Sequence, residues 1–291
     1  MPRLFLRVFY DGSRFYGFQR QPDRETVEGK LLTVLAKILS LRSKQSIRDL
    51  QYAAASRTDR GVHALAQTIA FNIEYSLVEN IEEIIAKINS ELCSYGIIVW
   101  AYTIQNINYH PRYSALYREY IYVEPKHDIT SCVFDLKTLN EYAKIFVGLH
   151  DFKYLSFKDK SGRSTIRQIY DIKVFEEYNY IIYRFIGASY SRGLVRNIVS
   201  CLKLLAEKRI TIEDLKRVLL GIPVNHVKRA IKPAPPHNLI LFNVVYPFSF
   251  RILNEYWHKV LEYIAEHKFI HVFNYLYQYF SLNPDGVLEL L

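Results

Sequence analysis

Leu50-Gln51-Tyr52-Ala53-Ala54-Ala55-Ser56-Arg57-Thr58-Asp59-Arg60-Gly61-Val62-His63-Ala64-Leu65-Ala66-Gln67-Thr68-Ile69-Ala70-Phe71-Asn72-Ile73 is two apolar, strand-like runs on either side of a polar loop. Leu50 to Ala55 and Gln67 to Ile73 read as strands, and Ser56 to Ala64 joins them. The loop holds one carboxylate, Asp59, between two guanidinium groups. Gly61 then frees the backbone to turn, with His63 close behind. Polar loops on a rigid scaffold carry function more often than their share of residues.

Working outward, residues 3–10 alternate as a strand does, and Asp11-Gly12-Ser13 ends it with turn chemistry. From Thr26 to Leu39, Val27, Leu31, Leu35 and Ile38 fall at helical spacing. Downstream, Val78, Ile81, Ile84, Ile85 and Ile88 mark a second helix, and 95–104 a further strand. The first hundred residues thus predict β-α-β-β-α-β, a ferredoxin-like pattern. The second half repeats it more loosely. It has strands at 116–123, 166–175, 180–187 and 239–246, and helices at 135–148, 194–205 and from Thr211. Glu176-Glu177-Tyr178-Asn179 reads as a hairpin turn, and Thr211 to Asp214 as a capping-box start. Lys232-Pro233-Ala234-Pro235-Pro236 is too proline-rich for a helix and should run extended over the surface. Two α+β lobes, 1–105 and 106–247, would leave a cleft between them, a usual place for a site. Residues 248–291 carry aromatic side chains at helical spacing and predict a pair of helices packed on the body.

The chain has 291 residues, half of them apolar, and a net charge of +9. The surplus lies in the body: the tail has three basic and five acidic residues, which leaves +11 on residues 1–247. Such a charge favours a polyanionic partner. Cys93, Cys132 and Cys201 are far apart and form neither a disulfide framework nor a metal-ligand spacing. No signal peptide and no long apolar run is visible, so the expectation is a cytoplasmic protein outside the membrane.

Taken alone, Arg57-Thr58-Asp59-Arg60 is most often a solvated ion-pair cluster. If it does chemistry, an ionised carboxylate among arginines suits a nucleophile, a weak base or an anchor better than a general acid. His63 could be a base, though a lone His beside a loop is more often structural. No second His or Cys lies at ligand spacing, Gly12 and Gly17 fit no nucleotide fingerprint, and no Gly-x-Ser-x-Gly elbow is present. What remains is carboxylate chemistry with no cofactor and no metal. Aromatic residues interleave with basic ones at Tyr10 to Arg20, Arg112 to Tyr120 and Tyr190 to Arg196. That is the material of RNA binding, by stacking on bases and charge on phosphates, and equally of a core edged with tyrosines.

These segments together resemble the TruA family of tRNA pseudouridine synthases over roughly residues 3–247. The resemblance is carried by Tyr10-Asp11-Gly12-Ser13-Arg14-Phe15-Tyr16-Gly17-Phe18-Gln19-Arg20-Gln21, by Arg57-Thr58-Asp59 with Gly61-Val62-His63, and by Arg118-Glu119-Tyr120-Ile121-Tyr122. His150-Asp151-Phe152 with Ser156-Phe157, Leu194-Val195-Arg196-Asn197 and Pro233-Ala234-Pro235-Pro236-His237 follow in the family's order. Ser56 stands where the family usually has Gly, Arg60 where it often has Ala, and Gly193-Leu194 where His and Met are common. The resemblance implies an α+β fold of two ferredoxin-like, RRM-like halves around an antiparallel sheet with a central basic cleft. It implies isomerisation of uridine to pseudouridine in tRNA, on the 3′ side of the anticodon stem and loop, by a homodimer without cofactor. Asp59 would be the catalytic aspartate, Tyr120 the residue stacked on the target uracil, and Arg196 the partner of Asp59. Arg57, Arg60, His63, Arg118, Arg14 and Gln19 would bind substrate.

Overall fold

The computed structural model describes residues 1–39, 49–106, 108–126, 135–157 and 164–290. They fall into two units, Met1–Leu116 with Leu241–Leu291, and Tyr117–Ile240. The fold is mixed α+β, and its paired strands run antiparallel.

The first unit begins with β1 (Arg3–Tyr10), α1 (Val27–Ile38), β2 (Ala53–Ala54), β3 (His63–Asn72), α2 (Ile81–Leu92) and β4 (Ile97–Gln105). Strand β1 lies between β3 and β4, and β2 pairs with β3. Every residue of β1 and β3 is buried, as central strands covered on both faces must be. Helix α1 turns Val27, Leu31 and Leu35 into the core, and Thr26 caps it by accepting from the Gly29 amide. Helix α2 buries Ile81, Ile84, Ile85, Ile88 and Leu92. The Asn89 side chain stitches it to β4, donating to Val99 O and accepting from Val99 N–H, both at 2.8 Å.

The strand expected at 50–55 is only two residues long. Leu50 still accepts from the Asn72 amide and the Ala55 amide still donates to Thr68, but Gln51 at φ +47 interrupts the ladder between them. Strand β3 instead begins four residues earlier than expected, so His63 lies in the strand and not in the loop.

The second unit contains β5 (Tyr117–Pro125), α3 (Leu136–Ala143), β6 (Gly148–Asp151), β7 (Ile166–Glu177), β8 (Tyr180–Gly187), α4 (Leu194–Ala206), α5 (Ile212–Leu219) and α6 (Asn225–Ala230). Its strand order is β5-β8-β7-β6. The β7–β8 turn is Tyr178-Asn179, both left-handed at φ +49 and +65, the twist a two-residue hairpin requires. Helix α3 is shorter than its periodicity implies, because a tight turn at Lys144–Phe146 and Gly148 at φ +114 redirect the chain into β6. The expected capping box at Thr211 and Asp214 is formed. The proline-rich run is extended, but it does not lie loose on the surface. Ala234 is buried and its amide donates to the Arg196 carbonyl at 3.2 Å.

The chain then returns to the first unit through β9 (Leu239–Val245), β10 (Arg251–Ile252), α7 (Asn254–Glu266) and α8 (His271–Leu282). Strand β10, absent from the periodicity, pairs with the free edge of β4. The two terminal helices are where the aromatic spacing put them. Trp257 packs between Trp100 and Phe280, with ring centroids 5.0 and 5.1 Å away. Trp257, Val260, Ile264, Val272, Phe273 and Leu276 are all buried. At roughly 2 kcal/mol for each large apolar side chain taken out of water, this tail is core. Cys93 and Cys201 are free thiols, and Cys132 lies outside the described residues. No described helix is long and apolar enough to cross a membrane.

Candidate active site

The Asp59 loop leaves β2 and enters β3 under restraint at each turn of its path. At its start, the wholly buried side chain of Gln67 acts as a template. It accepts from the Ser56 amide at 3.1 Å and donates to the Ser56 carbonyl at 2.9 Å. The next restraint comes from the segment after β1. The Phe18 amide donates to Thr58 O at 3.1 Å, and the Tyr10 and Thr58 hydroxyls bond at 2.7 Å. Gly17 lies flush against the loop backbone: a Cβ there would sit 3.1 Å from Arg60 N and from Thr58 O, and 3.3 Å from the Asp59 carbonyl carbon. Its φ of +91 is a conformation that glycine adopts without strain. At the exit, the Val62 amide donates to Asp59 O at 3.1 Å, and a Cβ on Gly12 would fall 1.9 Å from Val62 O. The main chain around Asp59 is therefore fixed by backbone contacts, which an exposed ion-pair cluster does not need. The Asp59 side chain itself is half-buried.

His63, expected among the substrate contacts, is fully buried. Its Nδ1 faces both the Asp11 carboxylate at 3.1 Å and the Gly12 amide at 3.2 Å. One nitrogen cannot donate to the first and accept from the second, and the charged partner makes the stronger bond. Nδ1 is therefore protonated and donates to Asp11. Burial alone would raise the Asp11 carboxyl, but His63 and Ser13, through hydrogen bonds and charge, hold it well below the usual carboxylate range.

Arg57 and Arg60 are exposed, as are Arg14 and Gln19. The Arg60 and Arg24 guanidinium carbons lie 4.3 and 4.5 Å from the centroid of the Tyr16 ring. Arg60 is thereby held on an aromatic face, an attraction worth roughly 0.5–1 kcal/mol at an exposed site. Arg14 donates to Ser94 O at 3.0 Å. Arg57 and Arg60 belong to the loop itself, and Arg24 shares the Tyr16 ring with Arg60.

In the second unit, Arg118, Tyr120 and Tyr122 alternate onto one face of β5. Tyr120 is 7% exposed and meets Tyr190 edge to face at 5.1 Å. Arg118 is buried and donates to Ala188 O at 2.5 Å. Arg196 sits in the first turn of α4. Gly193 makes that helix start possible, at φ +75 and with the Phe157 ring 2.7 Å from where a Cβ would be. The Arg196 Nε donates to Ala234 O at 2.5 Å, which directs the rest of the guanidinium. Its charge is felt by Tyr122, whose hydroxyl burial pushes up and Asn238 and Arg196 pull back in part. Among the described residues, no group of three or more His, Cys, Asp or Glu side chains could hold a metal ion.

Sequence reasoning singled out Asp59, Tyr120 and Arg196. It missed Gln67 and gave no separate role to Asp11, Gly17 or Thr58, all of which shape the loop. Their only local signals are a turn-capping Asp and a glycine between aromatic residues.

The tRNA pseudouridine synthase family model matches residues 142–247. The tRNA pseudouridine synthase A of Thermococcus kodakarensis is 34% identical over 250 residues, covering 84% of this chain and 85% of that protein. The tRNA pseudouridine synthase A of Pyrococcus furiosus is 32% identical over 289 residues, 98% of this chain and 100% of that one. Among solved structures, a chain in the crystal structure of a Cbf5–Nop10–Gar1 complex is similar at 14% identity and a TM-score of 0.33. That match covers 78% of this chain and 60% of that one, a likeness too slight to carry an inference. The full-length relatives suffice: this chain belongs to the TruA family of tRNA pseudouridine synthases, which are isomerases.

Proposed function

We propose that this protein converts uridine to pseudouridine in tRNA, on the 3′ side of the anticodon stem and loop, with Asp59 as the catalyst. One observation carries the residue assignment: a single carboxylate on a loop whose backbone is clamped by Gly12, Gly17, Phe18 and Gln67. Such preorganisation is worth its cost at a reacting group, where small misplacements are expensive.

The reaction breaks the bond between uracil N1 and ribose C1′, turns the base, and joins C5 to C1′. The hydrogen leaves C5 and N1 gains one, so atoms and electrons balance without an oxidant or a cofactor. Asp59 acts through its carboxyl group on the sugar or the base. Tyr120 stacks on the uracil and helps move the C5 proton. Arg196 supplies positive charge to the reacting centre, its fork directed by Ala234. Arg57, Arg60, Arg118, Arg14 and Gln19 bind RNA, with the exposed cations on phosphates, while His63 serves the substrate indirectly by holding the loop. Extruding a nucleotide costs a few kcal/mol, offset by stacking and phosphate contacts. The net +11 on residues 1–247 supplies the latter. The same reading includes ferredoxin-like halves, supported in the first unit by the order β4-β1-β3-β2. It also includes a homodimer working in the cytoplasm.

Treating an unmodified tRNA transcript with the protein and mapping pseudouridines tests the assignment. New pseudouridine confined to the 3′ side of the anticodon arm is expected. Modification elsewhere would overturn the position, and none anywhere would overturn the activity on tRNA.

A further inference from the structure

The terminal helices reach the Asp59 loop through an unbroken set of contacts inside the first unit. The Tyr263 hydroxyl, on α7, donates to Asp11 Oδ2 at 2.9 Å. The other carboxylate oxygen of Asp11 holds His63, at 3.1 Å, and accepts from the Ser13 amide and hydroxyl at 2.9 and 2.6 Å. The ring of Phe273, on α8, meets the His63 ring edge to face at 4.7 Å, and Tyr263 and Phe273 both pack on Phe9. Asp11 leads into Gly12, which is pressed against Val62, and the Val62 amide holds Asp59 O. A path of hydrogen bonds and close packing thus runs from α7 and α8 to the main chain of Asp59.

Two features go beyond what docking an apolar helix requires. The polar link runs from a hydroxyl to a carboxylate whose side chain is only 3% exposed, a bond that orients both oxygens of Asp11. The space is also fitted to it. Gly96, at φ +71, donates no side chain where a Cβ would lie 2.7 Å from the Tyr263 hydroxyl oxygen, and its carbonyl accepts from the Asp11 amide at 3.0 Å.

We propose that Tyr263 and Phe273 are positioning residues for uridine isomerisation, fixing the Asp59 loop through Asp11, His63 and Val62. The terminal helices are then part of what makes the site active, and not only cover for the sheet. The inference rests on Asp59 being the reacting group.

The test is single-turnover kinetics of the full-length protein, in excess over a tRNA transcript carrying tritium at uracil C5. Tyr263→Phe keeps the ring and removes only the hydroxyl. Its rate constant is expected to fall about 5- to 20-fold with tRNA affinity within about twofold, the pattern of a misplaced reacting group. Asp11→Asn, which keeps the shape and removes the charge, should lower the same constant. Phe269→Ala, on the same tail but 77% exposed, should leave it unchanged. A wild-type rate constant in Tyr263→Phe or in Asp11→Asn overturns the proposal. So does a reduced amplitude at an unchanged rate constant, which reports only a misfolded fraction. Asp59→Asn run alongside separates the two claims. If it turns over normally, the assignment of Asp59 falls; if it is silent while Tyr263→Phe is normal, only the positioning role falls.

Discussion

Gly17 concentrates the logic of the site at the scale of one residue. It holds φ +91 while its α-carbon lies against the backbone of Thr58, Asp59 and Arg60. Gly17→Ala would add a carbon 3.1–3.3 Å from three backbone atoms that no rotamer can move away. The loop must shift by a few tenths of an ångström, and the strained φ adds about 1 kcal/mol of destabilisation. We expect kcat to fall about tenfold with little change in KM, because the shift acts on Asp59, the proposed catalyst, and not on the exposed cations. Steady-state kinetics on a tRNA transcript checks this; an unchanged kcat would mean the loop is not as confined as its contacts imply. At this scale the loop around Asp59 was legible in sequence because the residue's neighbours in the chain are its neighbours in the loop. The supports were not. Tyr10 finds Thr58 48 positions away, and Tyr263 finds Asp11 252 positions away. No local pattern encodes such pairs.

Among elements, periodicity located nearly all the long ones, since burial of one face leaves a repeating apolar signature. It failed where a single backbone conformation overrides the pattern, at Gln51 ahead of β2 and at Gly148 after α3. It also failed for β6 and β10, too short to show alternation. Helix α4 shows how an element aims a side chain. Gly193 starts it, and Ala234 binds both the carbonyl and the Nε of Arg196. Lysine has no donor at the Nε position and no planar fork. Arg196→Lys should therefore keep the charge yet lower kcat about 100-fold, comparable to losing one preorganised donor. Circular dichroism should be unchanged. Activity within about threefold of wild type would show that charge alone suffices.

For the whole molecule, the charge distribution and the tail carry the account together. The surplus of basic residues belongs to 1–247, while the near-neutral to acidic tail supplies aromatic core and no grip on a polyanion. Its helices were legible as helices, and their link to the Asp59 loop was not, because it depends on where β1 and β3 begin and end. Everything then converges on one carboxylate. Tritium release from uracil C5 of a tRNA transcript, compared between wild type and Asp59→Asn at matched RNA binding, tests it most directly. The account predicts that Asp59→Asn binds the transcript with wild-type affinity and releases no tritium above background. Sustained release by Asp59→Asn, at a rate near that of the wild type, would contradict it.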